Sequence, residues 1–226
     1  MAMGGLTTRA VLLDALGTLL ELVPPAPLLV AELAARGAEV TEDEAAAALG
    51  AEIAYYRAHH DIARDRAGLA ELRSRCTEVL REALPPRARD VEDLQAALLA
   101  ALRFRPFPEV PAALRALRER GLRLVVVSNW DVSLHDALAA TGLAPLLDGA
   151  ISSAEAGASK PDPAIFARAL ELAGARPEEA LHVGDSLDLD VAGARAAGID
   201  AVLVVRDGAP PAGVGAIPSL SSLSVR

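Results

Sequence analysis

The chain of 226 residues has one cysteine, Cys76, and one lysine, Lys160. A lone cysteine excludes an internal disulfide. Cys76 sits in a helical pattern with Leu72, Val79 and Leu80, and no local motif points to thiol catalysis, so an ordinary thiol is expected. Positive charge is scarce: 22 Lys and Arg stand against 31 Asp and Glu, for a net charge of -9. No basic block offsets this balance, which argues against a nucleic-acid or anionic-membrane partner and leaves any anionic substrate to a few local cations or a metal. No uninterrupted apolar stretch reaches membrane-spanning length. Arg9 ahead of an apolar run looks like the start of a signal peptide, but Asp14 within that run and Glu21 just beyond it disfavour this reading. The cytoplasm is the expected compartment. With 52% apolar and 23% charged residues the composition is globular, and the length suits one sizeable core with a smaller accessory domain.

What is present begins with Val11 to Leu20, VLLDALGTLL. It reads as a buried strand with a carboxylate, Asp14, at its C-terminal end and Gly17-Thr18 turning the chain. A charge at the end of such a run is costly to bury without a partner. Pro24, Pro25 and Pro27 then mark a break, and from Pro27 to Phe104 the pattern is helical without a convincing strand. Helices are expected near Leu28 to Arg36, from a Thr41/Glu44 capping box towards Ile62, from Leu69 to Ala83, and from Asp90 with Leu94, Leu98 and Leu102 on one face. Pro106, Pro108 and Pro111 punctuate the exit.

After that, helix and strand alternate. Strands are expected at Leu122 to Val127, Ala150 to Ser152, Ala180 to Val183 and Ala201 to Val205, with helices near Ala112 to Arg120, Leu134 to Thr141, after Lys160-Pro161-Asp162-Pro163, and from Val191 to Ala197. The tail is weakly determined. Alternation implies a doubly wound parallel sheet with helices on both faces, an α/β core carrying an inserted all-α domain. The expected division is 1–22 with 105–226 for the core and 23–104 for the insert. In such sheets ligands bind beyond the C-terminal strand ends. Asp14, Ser128-Asn129 and Asp185 stand at those ends, with Lys160 on a loop between. Singly, each has a plain structural alternative, as a helix cap, a turn or a solvated charge. Together they fall where the topology places an active site.

Asp14-Ala15-Leu16-Gly17-Thr18-Leu19, Val127-Ser128-Asn129, Lys160-Pro161-Asp162-Pro163 and Gly184-Asp185-Ser186-Leu187-Asp188-Leu189-Asp190 resemble, in order and spacing, motifs one to four of the haloacid dehalogenase (HAD) superfamily. The helical insert falls where that family carries a four-helix type cap, and the resemblance covers nearly the whole chain apart from the tail. It implies a Rossmann-like HAD core. It makes Asp14 the nucleophile, forming an aspartyl-phosphate that water hydrolyses. Ser128 and the amide of Asn129 would bind the phosphoryl oxygens and Lys160 would neutralise them. Mg²⁺ would sit between Asp14, the backbone carbonyl of Leu16 and Asp185, with Asp190 as a water-mediated or supporting partner. Asp188 reads as a solvated helix-start residue. The expected partner is a small phosphorylated molecule. Oligomeric state is left open.

One position departs from the phosphatase pattern. Phosphatases of the superfamily usually place a second aspartate, a general acid and base, where this chain has Leu16. A leucine can lend its carbonyl to a metal but cannot protonate a leaving alkoxide. Dehalogenases of the superfamily also lack the second aspartate, yet their fourth motif is not the acidic Gly-Asp-Ser form, and they need no magnesium. Phosphonate-cleaving members use a cap lysine, and this insert has none. A magnesium-dependent phosphatase with a weakened proton relay is therefore expected, with a non-catalytic binding or regulatory protein as the alternative and a 2-haloacid dehalogenase third. In the insert, Tyr55/His59 and Tyr56/His60 are each four apart and share helical faces. This is an ordinary amphipathic helix, or else Tyr56, Arg57, His59 and His60 serve the substrate and Arg57, His59 or His60 replaces the missing acid.

Overall fold

The computed structural model describes residues 8–211 and 213–225. They divide into two compact units, one from the chain before Leu22 and after Arg105, the other from Leu22–Arg105. The strands are β1 (Ala10–Leu13), β2 (Leu20–Leu22), β3 (Phe104–Pro106), β4 (Arg123–Ser128), β5 (Gly149–Ser152), β6 (Ala180–Gly184), β7 (Asp200–Val204) and β8 (Ala216–Ile217). Six of them form one sheet in the order β5-β4-β1-β6-β7-β8, with every adjacent pair parallel. β2 and β3 pair separately where the chain passes between the units.

The continuous apolar runs of the sequence are strands covered on both faces. Val11, Leu12 and Leu13 of β1 and Leu124, Val125, Val126 and Val127 of β4 are all fully buried. Alternate side chains point to opposite faces. Ala10, Leu12, Val125 and Val127 share one cluster with Ile165, Phe166 and Leu170. Those three lie on one side of the fourth helix of this unit, so their helical spacing is the spacing of a core face.

The helices are α1 (Pro25–Ala34), α2 (Glu42–His59), α3 (Arg66–Ala83) and α4 (Leu94–Ala101) in the second unit, and α5 (Val110–Glu119), α6 (Leu134–Ala140), α7 (Ser153–Ala156), α8 (Pro163–Ala173) and α9 (Gly193–Ala196) flanking the sheet. The Thr41/Glu44 capping box forms as expected, with both reciprocal bonds present. Five elements differ from expectation. The fourth helix begins at Leu94 and not at Asp90, because Asp93 is left-handed at φ 52 and interrupts a right-handed turn. β2 and β3 have only three residues each, too short for a periodic signal, and β8 lies in the tail. The helix expected at Val191 is preceded by a widened turn, Leu187–Ala192, in which both Asp190 and Val191 donate their N–H to the Ser186 carbonyl. Among the described residues no helix is long and apolar enough to cross a membrane.

Glu52 on α2 is an anomaly in the helical unit. It is 3% exposed, its Oε2 has no hydrogen-bond partner, and its other contact is with the Cys76 thiol. Burial pushes its carboxyl above the ordinary 4.5, only partly offset by Cys76. The folded chain therefore keeps a proton that the unfolded chain releases. This contribution to stability is full below about 4.5 and is lost as pH rises through the folded-state pKa. Glu52→Gln should narrow the difference between melting temperatures measured at pH ~4 and ~8, since the variant has no proton to lose. Parallel wild-type and variant curves would contradict this.

Candidate active site

The chain winds from β1 outward through β4 and β5, then returns to the opposite side of β1 through β6, β7 and β8. β1 is thus the point where the strand order reverses, and a crevice opens beyond its C-terminal end. Asp14 is the first residue past that end. Its N–H donates to the Val183 carbonyl at 2.9 Å, continuing the β1–β6 ladder, and the residue is 5% exposed.

Two donors converge on one oxygen of this buried carboxylate. Ser128 Oγ, from the end of β4, donates to Asp14 Oδ1 at 3.1 Å, and Lys160 Nζ donates to the same atom at 2.6 Å. Lys160, 4% exposed, also donates to Asp190 Oδ1 at 2.6 Å. Its backbone is clasped by Asn129: Lys160 N donates to Asn129 Oδ1 at 2.7 Å, and Asn129 Nδ2 donates to Lys160 O at 3.0 Å. The Asn129 side chain is thereby committed to placing the lysine, and only its main chain is left to meet a ligand.

Asp190 is the most heavily hydrogen-bonded carboxylate here. His182 Nε2 lies 2.9 Å from its Oδ1, and Ser186 N donates to its Oδ2 at 2.9 Å. The widened turn after Ser186 brings Asp190 back towards β6. Gly184 is required there, because a Cβ would stand 2.2 Å from Asp190 Cγ. Asp185 is more open. It lies against Gly17, whose φ is +91 and whose added Cβ would fall 2.1 Å from Asp185 Oδ2. Asp14, Asp185 and Asp190 each offer one oxygen, and these lie within 4.8 Å of one another.

The charges are unevenly served. Burial alone would lower the Lys160 ammonium, but Asp14 and Asp190 outweigh it and hold the lysine above its ordinary value. Burial would raise Asp190, and Lys160 with His182 reverses this, so Asp190 stays ionised well below the usual carboxylate range. Asp14 is pushed up by burial, opposed by Lys160 and reinforced by Asp190 and Asp185. Asp185 is raised by burial and by Asp190. The three carboxylates cluster around a single lysine, and a donor set made of oxygens alone suits an additional hard cation.

The structure therefore brings Asp14, Ser128, Asn129, Lys160, Asp185 and Asp190 together in one unit. Leu16, 39% exposed, follows Asp14 on the same turn. Asp188 is exposed, as expected. Tyr56, Arg57, His59 and His60 lie in the other unit. There His59 stacks on Tyr55 with ring centroids 4.0 Å apart, and His60 tilts against Tyr56 at 5.7 Å. Arg57 is exposed and His60 is buried. Two residues of the site escaped the sequence reading. His182 is fully buried, with Nδ1 unpartnered, on a strand whose other residues are apolar or glycine. Like Asp14, it is a polar side chain set in a buried apolar run and costly to bury without a partner. Arg206 reaches the Gly17 carbonyl from beyond β7, a long-range contact with no local signal.

A parallel α/β sheet with a carboxylate, a hydroxyl, a lysine and further carboxylates gathered beyond its reversal point defines a hydrolase class. A family model for haloacid dehalogenase-like hydrolases matches residues 8–198, and the chain belongs to that family. Over 121 residues it is 44% identical to haloacid dehalogenase-like hydrolase domain-containing protein 3 of Bos taurus, covering 50% of this chain and 47% of that one. Over 135 residues it is 41% identical to a phosphoserine phosphatase of Thermus thermophilus, covering 57% and 53%. The chain thus spans about half the length of the curated relatives it matches. A HAD phosphatase from Thermococcus onnurineus has a similar solved structure, with a TM-score of 0.67 and 27% identity over 95% of both chains.

Proposed function

We propose that this HAD-family hydrolase is a magnesium-dependent phosphatase that acts on a small phosphorylated molecule through Asp14. The observation that carries the reading is the convergence of Ser128 and Lys160 on Oδ1 of a buried carboxylate, which leaves its other oxygen held by neither. In this reading a carboxylate oxygen of Asp14 attacks phosphorus, and the bond to the leaving oxygen breaks. Water then cleaves the aspartyl-phosphate, releasing phosphate and restoring the carboxylate. Ser128, the Asn129 main-chain N–H and Lys160 stabilise the negative charge gathering on the transferred oxygens.

Magnesium, held by Asp14, the Leu16 carbonyl and Asp185, would supply charge neutralisation beyond that of the one lysine. Both Asp190 oxygens already accept hydrogen bonds, which supports a supporting or water-mediated role for it. The polar cluster Tyr56, Arg57, His59 and His60 on α2 is the candidate for substrate choice. The net charge of -9 with no basic block argues against nucleic acid as the substrate, and the cytoplasm is the proposed compartment.

Leu16 favours activated substrates, aryl or acyl phosphates, whose leaving groups need no proton. The same leucine also supports a second reading, a binding or regulatory protein that keeps the fold without turnover. Assays on aryl, acyl and sugar phosphates, with and without Mg²⁺, separate the two. Magnesium-dependent release of phosphate from aryl or acyl substrates, absent in Asp14→Asn, is expected. A wild-type rate no higher than that of Asp14→Asn on every substrate would leave only the binding reading.

A further inference from the structure

Arg206 stands two residues beyond β7 and takes no part in the chemistry just described. Its guanidinium reaches the turn that follows Asp14 through two of its nitrogens. Nε donates to the Gly17 carbonyl at 3.0 Å and Nη2 to the Thr18 carbonyl at 2.6 Å. Nη1 donates to Glu109 Oε1 at 2.8 Å, and the guanidinium lies over the Phe107 ring with Cζ 3.3 Å from its centroid. Glu109 and Phe107 thus hold the fork from outside, while the fork holds two consecutive peptide carbonyls from inside.

Those carbonyls belong to the backbone that places two groups of the site. Gly17 N donates to the Leu20 carbonyl at 2.7 Å, which fixes the peptide contributed by Leu16. On its other side, Gly17 packs so closely on Asp185 that a single added carbon would overlap the carboxylate. A shift of the Gly17-Thr18 backbone must therefore move the Leu16 carbonyl, the Asp185 carboxylate or both.

We propose that Arg206 is a positioning residue whose planar fork locks the Gly17-Thr18 carbonyls and so keeps the Leu16 carbonyl and the Asp185 carboxylate in register for a divalent cation. The inference rests on the site reading above. Its geometry is specific to arginine: lysine could keep the charge over Phe107 but could not donate in parallel to two carbonyls and a carboxylate.

The test is Mg²⁺ titration of the full chain, read as the rise in melting temperature, for wild type, Arg206→Lys and Arg206→Met, with kcat and KM measured alongside. Partners that orient metal ligands typically contribute about 10- to 100-fold in metal affinity. Both variants should need roughly tenfold or more Mg²⁺ for the same shift, and should lose kcat more than they raise KM. Arg206→Lys should keep most of the metal-free stability, so it carries the test should Arg206→Met fail to fold. An Arg206→Lys titration that overlays wild type, whatever its metal-free melting temperature, overturns the inference and leaves the site reading intact. A wild-type protein with no Mg²⁺-dependent shift, matching Asp185→Asn, overturns both.

Discussion

Lys160→Met should destabilise the metal-free protein by about 3–5 kcal/mol, the usual cost of removing one partner from a buried ion pair. Methionine approximates the length and volume of the lysine stem, so the change removes charge with little loss of packing. What remains is Asp14 and Asp190, both buried, without the ammonium that stood 2.6 Å from each. The pH dependence should change as well. In wild type, Asp190 is held below its ordinary 3.8, so its contribution is full above that value and is lost as pH falls through the folded-state pKa. Lys160 is held above 10.5, so its contribution is full below that value and is lost as pH rises through the folded-state pKa. The variant should lose the alkaline limb entirely and weaken the acid one. Magnesium should restore part of the stability, because a divalent cation can take up charge that the lysine no longer balances. Denaturant unfolding at several pH values, with and without Mg²⁺, measures all three effects. A Lys160→Met midpoint equal to wild type without metal would rule out the shared-lysine account of the site.

Leu16→Asp should raise turnover of alkyl phosphates by about 10²- to 10⁴-fold, the range that a positioned general acid and base contributes. An alkoxide is a poor leaving group unless it is protonated as it departs, whereas a phenolate leaves readily without a proton. The gain should therefore be large for sugar or alkyl phosphates and small for aryl phosphates, and this difference distinguishes a restored proton relay from a general improvement. Because Leu16 is well exposed, an aspartate there has no large burial cost, and stability should change by only about 0.5 kcal/mol. Parallel kinetics on one alkyl and one aryl phosphate provide the measurement. An unchanged alkyl rate, with Mg²⁺ binding intact, would show that the missing acid is not what limits this chain.

The parts legible in the sequence were those written in periodic or contiguous residues. The runs at β1 and β4, and at β6 apart from His182, announce parallel strands because burial on both faces demands apolar residues. Their ends announce the site because Asp14, Ser128 and Asp185 interrupt that rule at equivalent positions. Lys160 was legible through its rarity and the prolines around it. Contacts made by tertiary approach were not legible. No local pattern says that the Asn129 side chain will clasp the Lys160 backbone, that His182 will face Asp190, or that Arg206 will reach back across most of the chain to Gly17. The start of α4 was missed because the left-handed conformation of Asp93 has no signature in residue type beyond a tolerance for it. The widened turn at Ser186 was missed because it depends on hydrogen-bond geometry and not on composition.

The only lysine of the protein lies at the centre of the candidate site, almost sealed from solvent. Isotope labelling through lysine alone would therefore produce a magnetic-resonance spectrum with a single side-chain amine, and that amine is the one touching Asp14 and Asp190. Cation binding, phosphate binding or substitution at Arg206 could each be followed as displacement of one resonance, with no assignment step and no background from the rest of the molecule.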